Sequence, residues 1–201
     1  MTSKTKWMID PSHSEIAFKV KHLMISNVKG HFREFDADIQ VLDNDFLTAD
    51  IDLWMQTNSI STGDDKRDEH LKSLDFFDVE NFKDINFTST LIEKTSKENI
   101  FNLLGDLTIK GISLPVTLEV DFGGIMKDPW GNEKAGFSIH GKINRKDWGL
   151  TWNTALENGG ILVGEDISIH CEIQLIKSKT AVKAMQLETA ETTEEVIESV
   201  A

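Results

Sequence analysis

Six histidines are the side chains best suited to catalysis or metal binding in this chain of 201 residues. They stand at positions 13, 22, 31, 70, 140 and 170, and their spacings match no standard zinc pattern. The sequence has no glycine-rich phosphate loop, no Cys-x-x-Cys pair, no His-Glu-x-x-His segment and no Gly-x-Ser-x-Gly segment. Cys171 is the only cysteine, which excludes a disulfide within one chain. We therefore expect no metal, no cofactor and no enzymatic activity.

His22 is the most informative histidine, because apolar and polar residues alternate around it and place it on one face with Phe18 and Val20. A neutral imidazole in an apolar interior needs a hydrogen-bond partner. It is either a core histidine satisfied by a neighbouring group or a polar contact for the head of a ligand whose tail fills the interior. A general base of a weak enzyme is a third interpretation, but no second catalytic group accompanies it.

The elements that would position these side chains are strands, since period-two alternation recurs in eight segments. The segments lie at 16–24, 35–41, 49–55, 85–91, 101–109, 116–122, 135–143 and 161–175. Mostly short loops join them, which favours an antiparallel up-and-down meander. The predicted fold is all-β, an eight-stranded antiparallel lipocalin-like barrel wide enough for a small ligand. A solid β-sandwich is the competing architecture.

Two connections and the C-terminal segment depart from the alternation. The long connection from about Gln56 to Asp84 predicts a short helix, starting at 62–65, that closes one barrel end. A second short helix is predicted near 153–158. From Met185 onward the chain has five Glu and no basic residue. We therefore divide the chain into a barrel domain, 1–178, and an acidic tail, 179–201, which we expect to be flexible.

Composition and charge narrow the classes of partner. The formal net charge of −13 disfavours nucleic acid and, on average, an anionic membrane surface. Eleven Phe and five Trp with no Tyr suit the lining of a core or cavity. No transmembrane run and no secretory signal are evident, so we expect no stable membrane insertion and a cytoplasmic location, or a periplasmic one if a leader has been removed.

Several sequence blocks, in the correct order, resemble those of the YceI family. The first blocks are Trp7-x-Ile9-Asp10-Pro11-x-His13-Ser14, Ile16-x-Phe18-x-Val20-x-His22 and Val28-x-Gly30-x-Phe32. The later blocks are Ser59-Ile60-x-Thr62-Gly63, Arg67-Asp68-x-His70-Leu71-x-Ser73-x-Asp75-Phe76-Phe77-Asp78, Ile85-x-Phe87-x-Ser89-Thr90, Gly105-x-Leu107-Thr108-Ile109-x-Gly111 and Ile143-Asn144-Arg145-x-Asp147-x-Gly149. The resemblance covers roughly residues 7 to 176, nearly the whole predicted barrel.

The resemblance implies a lipocalin-like barrel that binds polyisoprenoid or similar amphiphilic lipid chains in an elongated cavity. It also implies that His70 and Phe76 lie near the helix that flanks this cavity. Alternation and the resemblance together nominate ten ligand-binding residues. They are Phe18, Val20, His22, Phe32, His70, Phe76, Phe87, Leu103, Leu107 and Phe137.

The function expected from the sequence is noncatalytic binding of a long-chain isoprenoid or similar lipid, for transport, storage or sequestration. Burial of the ligand chain would supply most of the affinity, at about 25 cal/mol per Å² of apolar surface. The alternative is an interaction or stress-related structural protein whose barrel is filled by its own side chains. We expect a bacterial source, and a homodimer is the default oligomer.

Overall fold

The computed structural model describes residues 4–156 and 160–178, so the predicted acidic tail at 179–201 lies outside the described residues. The described residues contain eleven strands, one α-helix and three short 3-10 helices, at Pro11–His13, Thr57–Ser59 and Arg145–Trp148. The strands are β1 (Lys4–Ile9), β2 (Glu15–His22), β3 (Ser26–Phe32), β4 (Phe35–Leu42), β5 (Asp45–Gln56), β6 (Ile60–Ser61), β7 (Asp84–Lys94), β8 (Ile100–Ile109), β9 (Ile112–Lys127), β10 (Glu133–Asn144) and β11 (Val163–Lys177). The helix is α1 (Asp65–Lys72).

The strands form one antiparallel sheet that closes on itself. Its order is β1-β4-β5-β7-β8-β9-β10-β11, and β1 pairs with β11 to complete an eight-stranded barrel. The inward residues of the strands line the core, and Trp7 and Val41 are fully buried. The predicted barrel is confirmed, and the competing sandwich is wrong, because a sandwich would leave two separate sheets with open edges.

Two of the eight barrel positions are occupied by broken strands, which the alternation did not predict. β1 and β2 form one interrupted strand, and β3 and β4 form another, so that β1 pairs with β4 while β2 pairs with β3. The first break falls at Asp10-Pro11, where proline has no N–H to donate and the Asp10 carboxylate accepts the Ser12 N–H at 3.2 Å. The long strand β11 consequently pairs with β1 near one barrel end and with β2 along the rest.

The predicted helix in the long connection is confirmed as α1. Asp64 caps its first turn by accepting the Arg67 N–H at 3.0 Å. The buried Asp68 carboxylate accepts both the backbone N–H and the hydroxyl of Thr62, at 2.8 and 2.5 Å. These bonds fix the start of α1 to the chain that leaves β6, so the helix lies at the barrel end where β5 finishes and β7 begins.

The second predicted helix, near 153–158, is wrong for residues 153–156, and 157–158 lie outside the described residues. The Asn153 amide donates to the carbonyl of Val163 at 2.7 Å, and its oxygen accepts the Val163 N–H at 3.1 Å. Ala155 then bridges to Ile161. Asn153 thus holds this segment against the start of β11, and a side chain that bonds backbone in this way competes with a helix.

Among residues 4–156 and 160–178, no helix has both the length and the apolar character needed to cross a membrane.

Candidate functional site: an apolar cavity along the barrel

The interior of the barrel contains two adjoining apolar cavities, which we call the two lobes of the site. One lobe has a volume of about 160 Å³ and the other about 150 Å³. Four residues line both lobes and mark the junction between them. They are Ile16, Met55, Leu107 and Ile169. Each lobe holds roughly ten times the ~10–15 Å³ that one buried water needs.

The strand-walled lobe, the larger one, is lined only by apolar side chains from the strands. Phe46, Phe122 and Phe137 cluster beside it, with ring centroids 5.0 to 5.5 Å apart. Cys171 lines this lobe, and burial raises the pKa of its thiol to about 12. The thiol therefore stays neutral near pH 7 and behaves as one more apolar group, which excludes a reactive thiolate from the lining.

The helix-covered lobe is the part of the cavity lined by Leu71 of α1 together with Phe76 and Phe77, which follow the helix. Phe77 packs edge-on against Phe32 with ring centroids 6.1 Å apart, and Phe32 in turn lies 6.1 Å from Phe18. These aromatic contacts pack the connection between α1 and β7 against the barrel end. This lobe is therefore walled partly by chain that belongs to no strand.

Arg145 is the charged residue in the cavity lining, and it is only 3% exposed. Its guanidinium donates to three backbone carbonyls, those of Leu150, Val163 (3.4 Å) and Gly164 (2.9 Å). Burial lowers the pKa of Arg145, and the nearby Glu165 carboxylate opposes that shift. A guanidinium has five N–H donors and keeps its charge in proteins, so two donors remain beyond these three bonds.

Eight of the ten nominated residues line the cavity. Phe18, Val20, Phe32 and Phe76 line the helix-covered lobe, Phe87, Leu103 and Phe137 line the strand-walled lobe, and Leu107 lines both. For the six residues on the alternating segments, inward placement follows from the period-two alternation, whereas Phe32 lies on β3 and Phe76 follows α1. Contact with a ligand remains a prediction for all ten.

The two nominated histidines do not line the cavity. On β2 the wall ends at Val20, and the half-buried His22 lies one inward position further, beside the hairpin turn. The His70 ring packs edge-on against Phe76 and Trp152, with centroids 5.1 and 4.6 Å away. Its Nε2 lies 2.9 Å from the Asp75 carboxylate. His70 therefore packs against Phe76 without lining the cavity. Because His22 does not line the cavity either, its expected contact with the head group of a ligand has no support in the geometry.

Arg145 is the site residue that sequence reasoning missed. The inward positions of β10 run 135, 137, 139, 141 and 143, and position 145 continues the same parity beyond the end of the strand. The charged residue at the next inward position could therefore have indicated a polar group in the cavity wall. It was overlooked because Arg145 follows the last strand residue, where alternation no longer determines which way a side chain points.

The arrangement suits binding more than chemistry. Within the described ranges, no group of three or more His, Cys, Asp or Glu side chains is placed to hold a metal ion. Almost every wall atom is carbon, and an apolar cavity of this size stays dry and accepts apolar guests. The filled barrel of the alternative hypothesis is not what the interior shows.

Comparisons with known proteins agree with this geometry. Residues 7–175 match the YceI-like domain family. A UPF0312 protein of Staphylococcus aureus (strain bovine RF122 / ET3-1) is 40% identical over 171 residues, covering 85% of this chain and 96% of the relative. The crystal structure of a Campylobacter jejuni YceI protein, 32% identical, superposes with a TM-score of 0.65 over 79% of this chain and 90% of that one.

Another solved structure is similar to this chain in its fold alone. A polyisoprenoid binding domain from Saccharophagus degradans, described as implicated in plant cell wall breakdown, is 11% identical and has a TM-score of 0.63. The superposition covers 86% of this chain and 98% of that domain. The barrel architecture is therefore shared between chains with little sequence in common.

Proposed function

The chain belongs to the YceI-like domain family, and from this premise we propose that it binds a long-chain isoprenoid or similar amphiphilic lipid without acting on it chemically. The observation that carries the proposal is the pair of adjoining apolar lobes, which share Leu107 and three other lining residues. Such a cavity fits one extended chain better than a compact molecule. Transport, storage or sequestration would all use this binding step.

The energetics favour a long chain over a short one. Each buried CH₂ contributes about 0.8 kcal/mol. Ten of them give roughly 8 kcal/mol, which is comparable to the ~4–15 kcal/mol cost of lost translational and rotational freedom. A chain that fills one lobe would therefore bind weakly. Tight binding requires a chain that passes the junction and fills both lobes.

Arg145 gives the proposed lipid a direction. It is the charged member of a lining that is otherwise almost wholly apolar, and it lies in the helix-covered lobe. Its two donors beyond the three carbonyl bonds can meet an oxygen-bearing head group. We therefore place the head near Arg145 and the end of the chain in the strand-walled lobe, beside Phe137.

Native mass spectrometry of the purified protein tests the proposal, followed by organic extraction and identification of bound molecules. We expect a stoichiometric adduct with the mass of a long-chain lipid. Protein without an adduct is incubated with polyprenyl phosphates, quinones and fatty amides. An unchanged mass after all three incubations would contradict the proposal.

A matched pair of variants locates the ligand. Leu107→Trp places an indole at the junction, whereas Asp106→Trp places one on the neighbouring outward position of β8, which is exposed. We expect Leu107→Trp to lose the long-chain adduct and Asp106→Trp to keep it. Circular dichroism and thermal unfolding check that both variants fold, and a folded Leu107→Trp protein that retains the full adduct would contradict the cavity assignment.

A further inference from the structure

The hairpin turn between β2 and β3 presents three apolar side chains to solvent at the barrel end that carries the helix-covered lobe. Leu23 is 37% exposed, Met24 55% and Ile25 83%. The Ile25 N–H donates to the carbonyl of His22 at 3.2 Å, which makes Leu23 and Met24 the two central residues of a tight turn. We call residues 22–25 the apolar tip.

The residue types of the apolar tip do not suit the backbone conformation of its turn. Leu23 and Met24 have φ angles of 51° and 61°, in the left-handed region. A two-residue hairpin turn with both φ angles positive favours Asn, Asp and Gly. The turn between β4 and β5 has the same geometry, with φ angles of 49° and 63°, and there the residues are Asp43 and Asn44. Folding alone therefore does not explain leucine and methionine at the apolar tip.

The charge around the apolar tip is opposite to that of the whole protein. From Ile16 to Phe32 the hairpin contains three lysines and no acidic residue, in a chain whose formal net charge is −13. Lys21 and Lys29 are exposed on the strands that lead into and out of the turn. Neither takes part in an ion pair within the described residues. Charges further away than about 10 Å are screened at ~0.1 M salt, so this local excess acts on a surface that the tip touches.

The neighbouring acids do not cancel this excess. Beside β2, the carboxylates of Glu165 and Asp166 on β11 pair with Lys146 and Lys142. The exposed acids of α1, Asp65 and Glu69, share their helix with basic residues. The hairpin therefore combines an exposed apolar end with unpaired positive charge.

The apolar tip also lies next to the cavity. His22, at its start, pairs with Val163, which lines the helix-covered lobe, and Val20 lines the same lobe. On the far edge of β3, strand pairings reach only His31 and Phe32, so among the described residues 26–30 have no strand partner on that side. The barrel wall is thus incomplete beside the same hairpin.

From these observations we propose that the apolar tip docks the protein on a lipid bilayer that contains anionic lipid. Leu23, Met24 and Ile25 would enter the head-group region while Lys21 and Lys29 contact lipid phosphates. This inference rests on the proposed function, because docking would place the helix-covered lobe against the bilayer from which a lipid is taken or to which it is returned. Insertion is confined to a turn, so the attachment is peripheral and reversible.

A second exposed apolar cluster serves as the internal control. Met126 and Trp130, at the turn between β9 and β10, are 76% and 80% exposed at the opposite barrel end. Residues 127–134 contain two acidic residues, Asp128 and Glu133, and also two lysines, so the formal charges of this turn cancel. Exposed apolar area is therefore present at both ends, and an excess of positive charge accompanies it only at the apolar tip.

Cosedimentation of the full chain with vesicles tests the proposal. The vesicles contain either phosphatidylcholine with 30% phosphatidylglycerol or phosphatidylcholine alone. We expect wild-type protein to bind the anionic vesicles, and salt to weaken this binding. The Leu23→Asn/Met24→Gly double variant should reduce the bound fraction at least fivefold. Its thermal midpoint should not fall, because Asn-Gly suits this turn. Lys21→Gln/Lys29→Gln should also reduce binding, and Met126→Asn/Trp130→Ser should leave it unchanged.

Several outcomes would overturn the proposal. They are absence of wild-type binding to anionic vesicles, equal binding by wild type and Leu23→Asn/Met24→Gly, and loss of binding in the Met126→Asn/Trp130→Ser variant alone. Vesicle binding measures docking and requires no bound ligand. The adduct mass measures the cavity, so failure of this inference can be distinguished from failure of the proposed function.

Discussion

The two lobes of the cavity have similar volumes but are built in different ways. The strand-walled lobe takes its lining from regular strands, and every lining side chain is apolar. The helix-covered lobe adds residues from α1 and from two long connections, and it contains Arg145. The first lobe is a product of a repeating pattern in the sequence. The second depends on particular long-range bonds, so individual substitutions should affect it most.

Arg145→Met should have the largest effect on stability. It leaves the carbonyls of Leu150, Val163 and Gly164 without their buried donor, at a cost of about 3–5 kcal/mol in the free energy of unfolding. Urea denaturation followed by circular dichroism measures the loss. Arg145→Lys should recover only part of it, because an ammonium cannot reproduce the guanidinium fork. A loss below about 1 kcal/mol would show that the connection is held by other contacts.

Asp10→Asn tests the break between β1 and β2, which lies beside the strand-walled lobe. The substitution should lower the free energy of unfolding by about 2 kcal/mol. The Asp10 carboxylate accepts bonds from the Ser12 hydroxyl at 2.6 Å, Lys134 at 3.0 Å and Gln174 at 2.9 Å. The hydrogen bond from Ser12 is the main cause that holds the pKa of Asp10 well below its ordinary range, and bonds from Lys134, His13 and Gln174 add to it.

The sign of the pH dependence follows from this lowered pKa. Ionised Asp10 stabilises the fold fully above the unfolded-state pKa of about 3.9, and its contribution is lost as pH falls towards the lower folded-state pKa. The difference in unfolding free energy between wild type and Asp10→Asn should therefore be constant above about pH 5 and shrink below pH 4. The control is Asp38→Asn, whose solvent-exposed pair with Lys6 should contribute much less to the free energy of unfolding. A pH-independent difference would contradict the assignment.

His70→Ala should have the smallest effect, about 1 kcal/mol, from its edge-on contacts with Phe76 and Trp152. Because His70 does not line the cavity, the variant should keep its lipid adduct. Thermal unfolding and native mass spectrometry measure the two properties separately. His140→Ala, on the outer face, is the control and should change stability by less than about 0.5 kcal/mol. Loss of the adduct in a stable His70→Ala protein would show that His70 contributes to ligand binding.

The strand-walled lobe was predictable because alternation is a local property. Phe87, Leu103 and Phe137 could be placed inside the barrel from their neighbours alone.

β3 was missed because its inward position 30 is glycine, which interrupts the apolar pattern. A Cβ at Gly30 would lie 2.4 Å from the Phe18 ring, so this ring occupies the space that a side chain would fill. The missing apolar residue is thus supplied by the neighbouring strand.

The helix-covered lobe was less predictable, because its cover depends on contacts between distant parts of the chain. The sequence indicated a helix near residue 65, and the resemblance placed Phe76 near the cavity. Neither indicated that Arg145 would bond carbonyls 5 to 19 residues further along the chain. Bonds of this kind are set by how the connections pack once the barrel has closed, and they leave no periodic signal.

The structure of the protein determined with the lipid that copurifies with it tests the central claim most directly. We predict one continuous chain that passes Leu107 and occupies both lobes, with its polar head near Arg145 and its end near Phe137. A ligand confined to one lobe, or bound only on the outer face of a barrel whose cavity is empty, would contradict the account.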